Sequence, residues 1–403
     1  MRWVLVLALA LGVTAPALRD MGVGGSARQA FAASVADRSR QVTSVSRTTN
    51  AIDAFWVNAD RYIMTVGYTP ATNWSRPTRI SNGLASGGTS VHAVARASNR
   101  MDIFAVTPNR YVQTAYWNGS AWSAWSQLGS LRVADRTNVH AISPNANQMD
   151  LFAVGEDRVV YTNKWTAAAG WSGWIALPGL KAAANTMAYG AYLSSNGSSV
   201  QVVAVQTATV GRVIGPPPGQ LVTKNWNLVD VNTYNQSTGW SGWETSPQLV
   251  LKPETSAFPV STTENGVIIF GTNDAGITAR QSWYNHLWFE PVLISNGMTW
   301  DRTTVFAVER QPGVPASTQA VCIGLDGYVY HHATPTSNGP TLTTSGGVWS
   351  QIPGSQSYLD ASLVVWGPGK LNIFAWRSVD DGVHTATWND ATGRWSGWAR
   401  LDD

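Results

Sequence analysis

The sequence predicts an all-β protein, a seven-bladed β-propeller built from four-stranded antiparallel blades. Three observations predict this fold: a tryptophan motif that recurs about every 48 residues, four short strand-like segments in each copy, and apolar side chains on both faces of those segments. A chain of 403 residues could hold two or three ordinary domains, but one closed ring of repeats would use the same length.

The repeat is clearest in its tryptophans, because four copies contain Trp-Ser-x-Trp and three keep only the first tryptophan. The first tryptophans of the seven copies are Trp74, Trp122, Trp171, Trp240, Trp288, Trp349 and Trp395. Successive members of this series are 48, 49, 69, 48, 61 and 46 residues apart. The two long gaps contain insertions rich in proline and glycine, around 215–219 and 335–347, so the underlying period is close to 48.

Each full copy divides into four strands, as residues 90–129 illustrate. The segments 90–95, 101–106 and 111–117 have β-forming character, and the tryptophan pair leading to Leu128 provides the fourth. Turn sequences such as Asn118-Gly119 separate the segments. Each copy therefore predicts one small antiparallel sheet.

Both faces of such a sheet are apolar, because strand side chains alternate and Phe104 and Ile103 point in opposite directions. The two tryptophans of each motif are three residues apart, and this odd spacing predicts one indole on each face. Sheets that are apolar on both sides must be covered on both sides, which radial stacking around an axis achieves. A linear β-solenoid is the alternative, but it needs polar terminal copies, whereas the last copy ends in the aromatic motif Trp395–Trp398.

The N-terminus predicts export. Met1-Arg2 precedes an apolar run, 3–13, and Ala15-Pro16-Ala17 is a small-residue cleavage pattern. We expect a signal peptide over 1–17, with an extension to 32 as the alternative, then a flexible leader over 18–40 and the propeller over 41–403. The apolar run is too short to span a bilayer comfortably, and the single cysteine, Cys322, can form no intrachain disulfide. A secreted, extracellular protein stabilised by its apolar core is the expectation.

The stretch from Asp150-Leu151-Phe152-Ala153-Val154 to Trp171-Ser172-Gly173-Trp174-Ile175-Ala176-Leu177-Pro178-Gly179 resembles the repeat of the bacterial Photorhabdus lectin-like (PLL) family. The resemblance extends over all seven copies. It implies a seven-bladed propeller that binds fucose and related sugars between its blades, with glycans or glycoconjugates as partners. The first, fifth and sixth copies lack the second tryptophan, so fewer than seven working pockets are implied.

The candidate sugar-binding residues are tryptophans, because the apolar C–H face of a pyranose or a fucose methyl group can stack on an indole. The first choices are the second tryptophans of the motifs: Trp125, Trp174, Trp243 and Trp398. The second choices close the third strand: Trp117, Trp165, Trp226, Trp283 and Trp388. Blade packing is the competing interpretation for each of them. Single pockets would bind weakly, so a multivalent glycan surface is the expected target, and the chain could also form an oligomer.

Other functions find less support in the sequence. A net charge of +3 with 13% charged residues predicts no binding of nucleic acid. A glycoside hydrolase would need two unique carboxylates, whereas Asp53, Asp102 and Asp150 recur at one repeat position and predict a structural role. His92 and His140 also recur, but the ligand set is incomplete, so no metal, cofactor or catalytic residue is predicted. A protein-binding propeller is the main alternative, ahead of a hydrolase.

Overall fold

The protein is a ring of seven antiparallel sheets. The computed structural model describes residues 41–402, except 195, 215–219, 264–265, 285, 300–303, 311–316, 336–347 and 368. The predicted signal peptide and leader lie outside the described residues, as do the insertions at 215–219 and 336–347. Within the described residues there are strands and turns but no α-helix, which confirms the predicted fold class.

The strands are numbered in chain order and are grouped here by blade. Blade 1 contains β1 (Thr43–Thr48), β2 (Ala51–Val57), β3 (Tyr62–Thr69), β4 (Asn73–Trp74) and β5 (Thr78–Leu84). Blade 2 contains β6 (His92–Ala97), β7 (Arg100–Val106), β8 (Tyr111–Trp117) and β9 (Ser126–Arg132). Blade 3 contains β10 (His140–Asn145), β11 (Gln148–Val154), β12 (Val160–Thr166), β13 (Gly170–Trp171) and β14 (Ile175–Leu177). Blade 4 contains β15 (Tyr189–Tyr192), β16 (Ser199–Ile214), β17 (Gln220–Asn235) and β18 (Gly239–Leu251).

The remaining blades follow the same order. Blade 5 contains β19 (Phe258–Thr263), β20 (Gly266–Thr272), β21 (Ile277–Tyr284), β22 (Leu287–Trp288) and β23 (Val292–Met298). Blade 6 contains β24 (Phe306–Arg310), β25 (Ser317–Ile323), β26 (Val329–Pro335) and β27 (Ser350–Gln351). Blade 7 contains β28 (Tyr358–Gly367), β29 (Lys370–Arg377), β30 (Gly382–Asn389), β31 (Arg394–Trp395) and β32 (Ala399–Arg400).

The fourth strand of a blade is often interrupted just after its first tryptophan. In blade 3, Trp171 pairs with Trp165 and Ile175 pairs with Thr162, so four steps along the fourth strand face three steps along β12. The extra residue is a β-bulge. A serine stabilises it: Ser172 Oγ accepts a hydrogen bond from the Lys164 amide at 3.0 Å and donates to the Gly173 carbonyl at 3.0 Å. Four other blades have the same serine arrangement, at Ser75, Ser123, Ser241 and Ser396.

An apolar cluster fills each junction between neighbouring blades, which we call a seam and name by its two blades. In seam 2/3, Phe104 and Leu128 of blade 2 pack with Leu151 of blade 3, and all three are buried. Equivalent clusters fill the other seams. Seam 7/1 closes the ring by packing Val42 and Ile52 of blade 1 against Phe374 and Leu401 of blade 7. In the described residues, blade 7 is built from the C-terminal strands alone.

Blade 4 departs from its neighbours through a long hairpin. β16 and β17 pair continuously from Ser199 with Asn235 to Ile214 with Gln220. β18 pairs with β17 no further out than Asn227, so the hairpin extends beyond the body of the blade. The insertion that lengthens the fourth repeat is therefore mostly a strand extension.

Candidate functional site

The second tryptophan of each complete motif joins its blade to the preceding blade. Trp125 Nε1 donates to the Ile80 carbonyl at 3.0 Å, and Trp174 Nε1 donates to the Leu128 carbonyl at 2.8 Å. Trp243 and Trp398 repeat the contact with the carbonyls of Leu177, at 3.3 Å, and Pro353, at 3.2 Å. The indole N–H is therefore used within the protein at seams 1/2, 2/3, 3/4 and 6/7.

A glycine of the preceding blade lies under each of these four indoles. A Cβ atom placed on Gly83 would lie 2.2 Å from the Trp125 ring, and one on Gly129 would lie 3.1 Å from Trp174. Gly179 and Gly354 lie under Trp243 and Trp398 with more room, at 3.6 Å. Sequence reasoning missed these glycines, although the recurring apolar residue followed within three positions by glycine at the end of the copies was a usable signal.

The first tryptophan of the motif packs deeper in the same seam. Trp122, Trp171 and Trp240 meet Phe55, Phe104 and Phe152 of the preceding blade edge to face, with centroid separations of 5.8, 5.9 and 6.4 Å. Edge-to-face pairs of this kind stabilise aromatic packing. Seams 1/2, 2/3 and 3/4 therefore each contain a phenylalanine–tryptophan pair in addition to the second indole.

The predicted placement of the two tryptophans on opposite faces is wrong. Trp171 and Trp174 belong to one cluster in seam 2/3, and Trp240 and Trp243 belong to one cluster in seam 3/4. The bulge explains the difference, because its extra residue reverses the alternation of side chains between them. Both indoles of a motif therefore face the preceding blade.

The assignment of Trp226 to the end of the third strand is also wrong. That position pairs with the first tryptophan, and in blade 4 it holds Tyr234, which pairs with Trp240 at a ring separation of 5.4 Å. Trp226 lies eight residues earlier in β17, where it is 5% exposed and packs with Leu228 and Val250 of its own blade. Trp226 therefore lies in the lengthened part of the hairpin and not at the repeat position that pairs with the first tryptophan.

Most of the other predicted tryptophans pack at a seam and are still partly exposed, so a ligand could also contact them. Trp117, Trp165 and Trp388 end their third strands beside the first tryptophans Trp122, Trp171 and Trp395. Partial exposure is common to the remaining candidates: Trp117, Trp125, Trp165, Trp174, Trp243, Trp388 and Trp398. Trp283, by contrast, is buried in seam 4/5 at 2% exposure. The partly exposed indoles among the predicted site residues therefore lie at four seams, 1/2, 2/3, 3/4 and 6/7.

The recurring carboxylates have the structural role predicted for them. Asp53 pairs with Arg47, and Asp102 pairs with Arg96 at 2.8 Å, in each case within one blade. Asp150 accepts hydrogen bonds from Tyr192 at 2.6 Å and from Gln148 at 2.9 Å. All three carboxylates are buried.

Asp230 is a buried carboxylate of blade 4 whose pKa is raised. It is 1% exposed and accepts hydrogen bonds from Thr245 and Gln206, and burial raises its pKa to about 6. Because it is enclosed within blade 4, it has no route to a substrate. Its second carboxylate oxygen is buried without a hydrogen-bond donor.

Asp230→Asn should stabilise the protein at alkaline pH. A carboxyl whose pKa is higher in the folded state favours folding below its unfolded pKa, and this contribution is lost as the pH rises through about 6. We expect the variant to gain roughly 2 to 3 kcal/mol relative to the wild type between pH 4 and pH 8, measured by urea unfolding. The exposed Asp60→Asn is the control, and an equal response of the two variants would contradict the assignment.

The inner strands bring a stack of rings to the axis of the ring. The centroid separations are 4.5 Å for His92 and His140, 4.9 Å for His140 and Tyr189, 4.9 Å for Tyr189 and Phe258, and 5.2 Å for Phe258 and Phe306. His140 is thus buried and His92 half-buried at the axis, in agreement with the predicted buried or channel-lining position. The described residues contain no cluster of three or more potential metal-ligating side chains. We call these five rings the aromatic arc.

Solved structures with similar folds include lectins. BP39L lectin from Burkholderia pseudomallei is 18% identical, with a TM-score of 0.73 over 91% of this chain and 99% of that chain. A mutant of AofleA from Arthrobotrys oligospora gives 12% identity and a TM-score of 0.56 over 91% and 87% of the two chains. The six-bladed fungal lectin of Aleuria aurantia gives 11% and 0.50 over 90% and 96%. No protein-family model and no curated protein matches the sequence.

Proposed function

We propose that this seven-bladed propeller is a secreted carbohydrate-binding protein that recognises fucose-like or methylated sugars at its tryptophan-lined seams. The observation that supports it best is the repeated, partly exposed second indole at four seams. The Aleuria aurantia lectin, whose fold is similar, is described with a fucose recognition mode. These four seams are the sites that we assign.

The chemistry of the exposed indoles favours the less polar faces of sugars. Because each Nε1–H already bonds a carbonyl, the ring offers a ligand its π face and carbon edge rather than a hydrogen-bond donor. A methyl group or the C–H face of a pyranose suits such a surface, and other polar groups would fix the hydroxyls. Several weak seams acting together would give useful affinity for a multivalent surface.

Trp174→Ala should remove one binding site without abolishing the others. A glycan array followed by titration calorimetry with methyl α-L-fucoside would measure it, and we expect the stoichiometry to fall by one site per chain. Trp174→Phe keeps an aromatic face but loses the bond to the Leu128 carbonyl, so it should retain weakened binding and lose about 1 kcal/mol of stability.

The control for this experiment is Ile175→Ala, since Ile175 is the exposed neighbour of Trp174. Unchanged stoichiometry in Trp174→Ala would remove this indole from the site. If no glycan on the array binds the wild type, the carbohydrate-binding function itself is wrong.

Two further parts of the proposal concern catalysis and location. We propose that the protein is not an enzyme. Release of reducing sugar that depends on a single Asp or Glu would disprove this proposal. Export rests on the apolar N-terminal run at 3–13 and is tested by N-terminal sequencing of the mature protein. No helix in the described residues is long and apolar enough to cross a bilayer.

The protein-binding alternative is favoured by the extended hairpin of blade 4. Its outer part is a two-stranded ribbon that projects past β18, and such projecting segments commonly contact partners. A propeller that binds no glycan but captures a partner only with this ribbon intact would support that alternative.

A further inference from the structure

A large cavity lies on the axis of the ring, away from the seam tryptophans. It has a volume of about 1030 Å³ and is lined by the inner strands and their following turns, with Ser46, Ala95, Ser143, Ser194 and Trp366 among the contributors. We call this space the vestibule. Its size is at the upper end of that of ligand pockets, so it could hold more than one sugar ring.

The aromatic arc sits on the inner side of the vestibule. His92 and His140 come directly before vestibule residues Ala93 and Ala141 on the same strands, so their rings lie one step deeper along the axis. A second cavity of about 170 Å³ borders His92, Phe258 and Phe306 at that level. The vestibule is therefore a funnel that narrows towards stacked rings, and a ligand would enter it from one face.

Two serine hydroxyls at the vestibule wall, Ser46 and Ser143, use their hydrogens within the protein. Ser46 Oγ donates its hydrogen to the Thr48 carbonyl at 3.0 Å, and Ser143 Oγ lies 2.8 and 2.9 Å from the Asn145 and Gln148 carbonyls, to one of which it donates its single hydrogen. Each hydroxyl oxygen retains lone pairs after donating its single hydrogen. A ligand that binds these two oxygens must bring its own O–H or N–H donors.

The part of the vestibule wall that the structure describes carries little charge. Arg47 is the only charged side chain among the described residues that line the vestibule, and its guanidinium pairs with buried Asp53. Tyr192 donates its phenolic hydrogen to Asp150 at 2.6 Å. Val45, Ala93 and Leu193 supply apolar surface between the polar groups. Such a wall does not favour phosphates, carboxylates or isolated cations.

We propose that the vestibule is an axial binding site for the end of a neutral saccharide chain, separate from the seams. Sugar hydroxyls would donate to the serine oxygens while C–H groups contact the apolar wall. The proposal rests on the proposed carbohydrate-binding function and adds a site of a different kind, one per propeller. An axial site would bind the tip of a chain, whereas seam sites would bind sugars around the periphery.

Filling the vestibule tests this proposal. Thr49→Trp places a large side chain at an exposed wall position, and Ser143→Trp does so at a partly exposed one. Ala275→Trp, at the exposed β20–β21 turn outside the vestibule, is the control. Titration calorimetry with a fucosylated lactose would compare the four proteins, after urea unfolding confirms that each is folded. We expect both vestibule variants to bind one equivalent less than the wild type, and the control to be unchanged.

The outcomes separate the two claims. Equal stoichiometry in the wild type and in a folded Thr49→Trp or Ser143→Trp variant would overturn the axial site and leave seam binding intact. Absence of binding in the wild type, with methyl α-L-fucoside as well as with the fucosylated lactose, would overturn both. Loss of one equivalent in Trp174→Ala alone would assign the sugar to the seam and would also count against the vestibule.

Discussion

Phe152→Ala will lower the free energy of unfolding by about 3 to 5 kcal/mol. Phe152 is fully buried in seam 3/4, where it meets the edge of Trp240 and packs with Leu177 and Val202. The ring also lies so close to blade 4 that a Cβ on Gly190 would approach it to 2.2 Å. Neighbours fixed in two different sheets cannot easily collapse into the space that the ring leaves, so most of the cavity would persist.

Urea unfolding measures this effect, with Ile175→Ala in the same blade as the matched control. Ile175 is 52% exposed, and its truncation should change stability by less than about 0.5 kcal/mol. Sugar binding by folded Phe152→Ala should resemble that of the wild type at the other seams. A loss below about 1 kcal/mol would mean that seam 3/4 contributes little to closing the ring.

Acid will weaken the protein through the histidines of the aromatic arc. Burial lowers the pKa of His92 to about 4, and burial together with His92 holds the pKa of His140 well below its ordinary value. In the neutral state their Nδ1 atoms accept hydrogen bonds from the Ala141 and Gly190 amides at 3.3 and 3.1 Å. A histidine whose pKa is lowered by folding stabilises the fold above its unfolded pKa of about 6.5 and loses that contribution as the pH falls towards 4.

For His92 this loss is roughly 3 kcal/mol between pH 7 and pH 4, measured by urea unfolding at several pH values. His92→Asn keeps an oxygen acceptor near the Ala141 amide but cannot be protonated in this range, so its stability should depend less on pH. Asp230 acts in the opposite direction, so the comparison is best made in an Asp230→Asn background. Parallel pH profiles of the wild type and His92→Asn would contradict the effect.

Local chemistry was enough to predict the architecture. The phenylalanines of the second strands, such as Phe104 and Phe152, occupy a fixed phase in the repeat, and alternation alone places them in a seam core. The tryptophan motif predicted the number of blades, because every copy must cover two apolar faces. Copies 1, 5 and 6 lack the second tryptophan, so fewer than seven working pockets stays a prediction.

The site geometry depended on features that strand alternation does not contain. The bulge at Ser172 requires a side chain that bridges two backbone groups, and it reverses the parity on which the placement of Trp174 was argued. Trp226 was chosen because it is the last tryptophan before Trp240, although the two are 14 residues apart. Tyr234, six residues before Trp240, keeps the spacing seen in blade 3. The place of Phe306 in the aromatic arc was not predicted. The sixth copy matches the repeat poorly, so the repeat position of Phe306 was not recognised.

Seam 7/1 joins the beginning and the end of the described chain by side-chain contacts. Val42 and Leu401 lie in one apolar cluster, and Lys370 Nζ of blade 7 donates to Asn50 Oδ1 of blade 1 at 3.1 Å. In the described residues no blade combines strands from both ends of the chain, so blade 7 is connected in the same way as the other blades. The fold therefore permits circular permutation. A short linker could connect residues 42 and 401, and new termini placed in another interblade loop would leave every sheet intact.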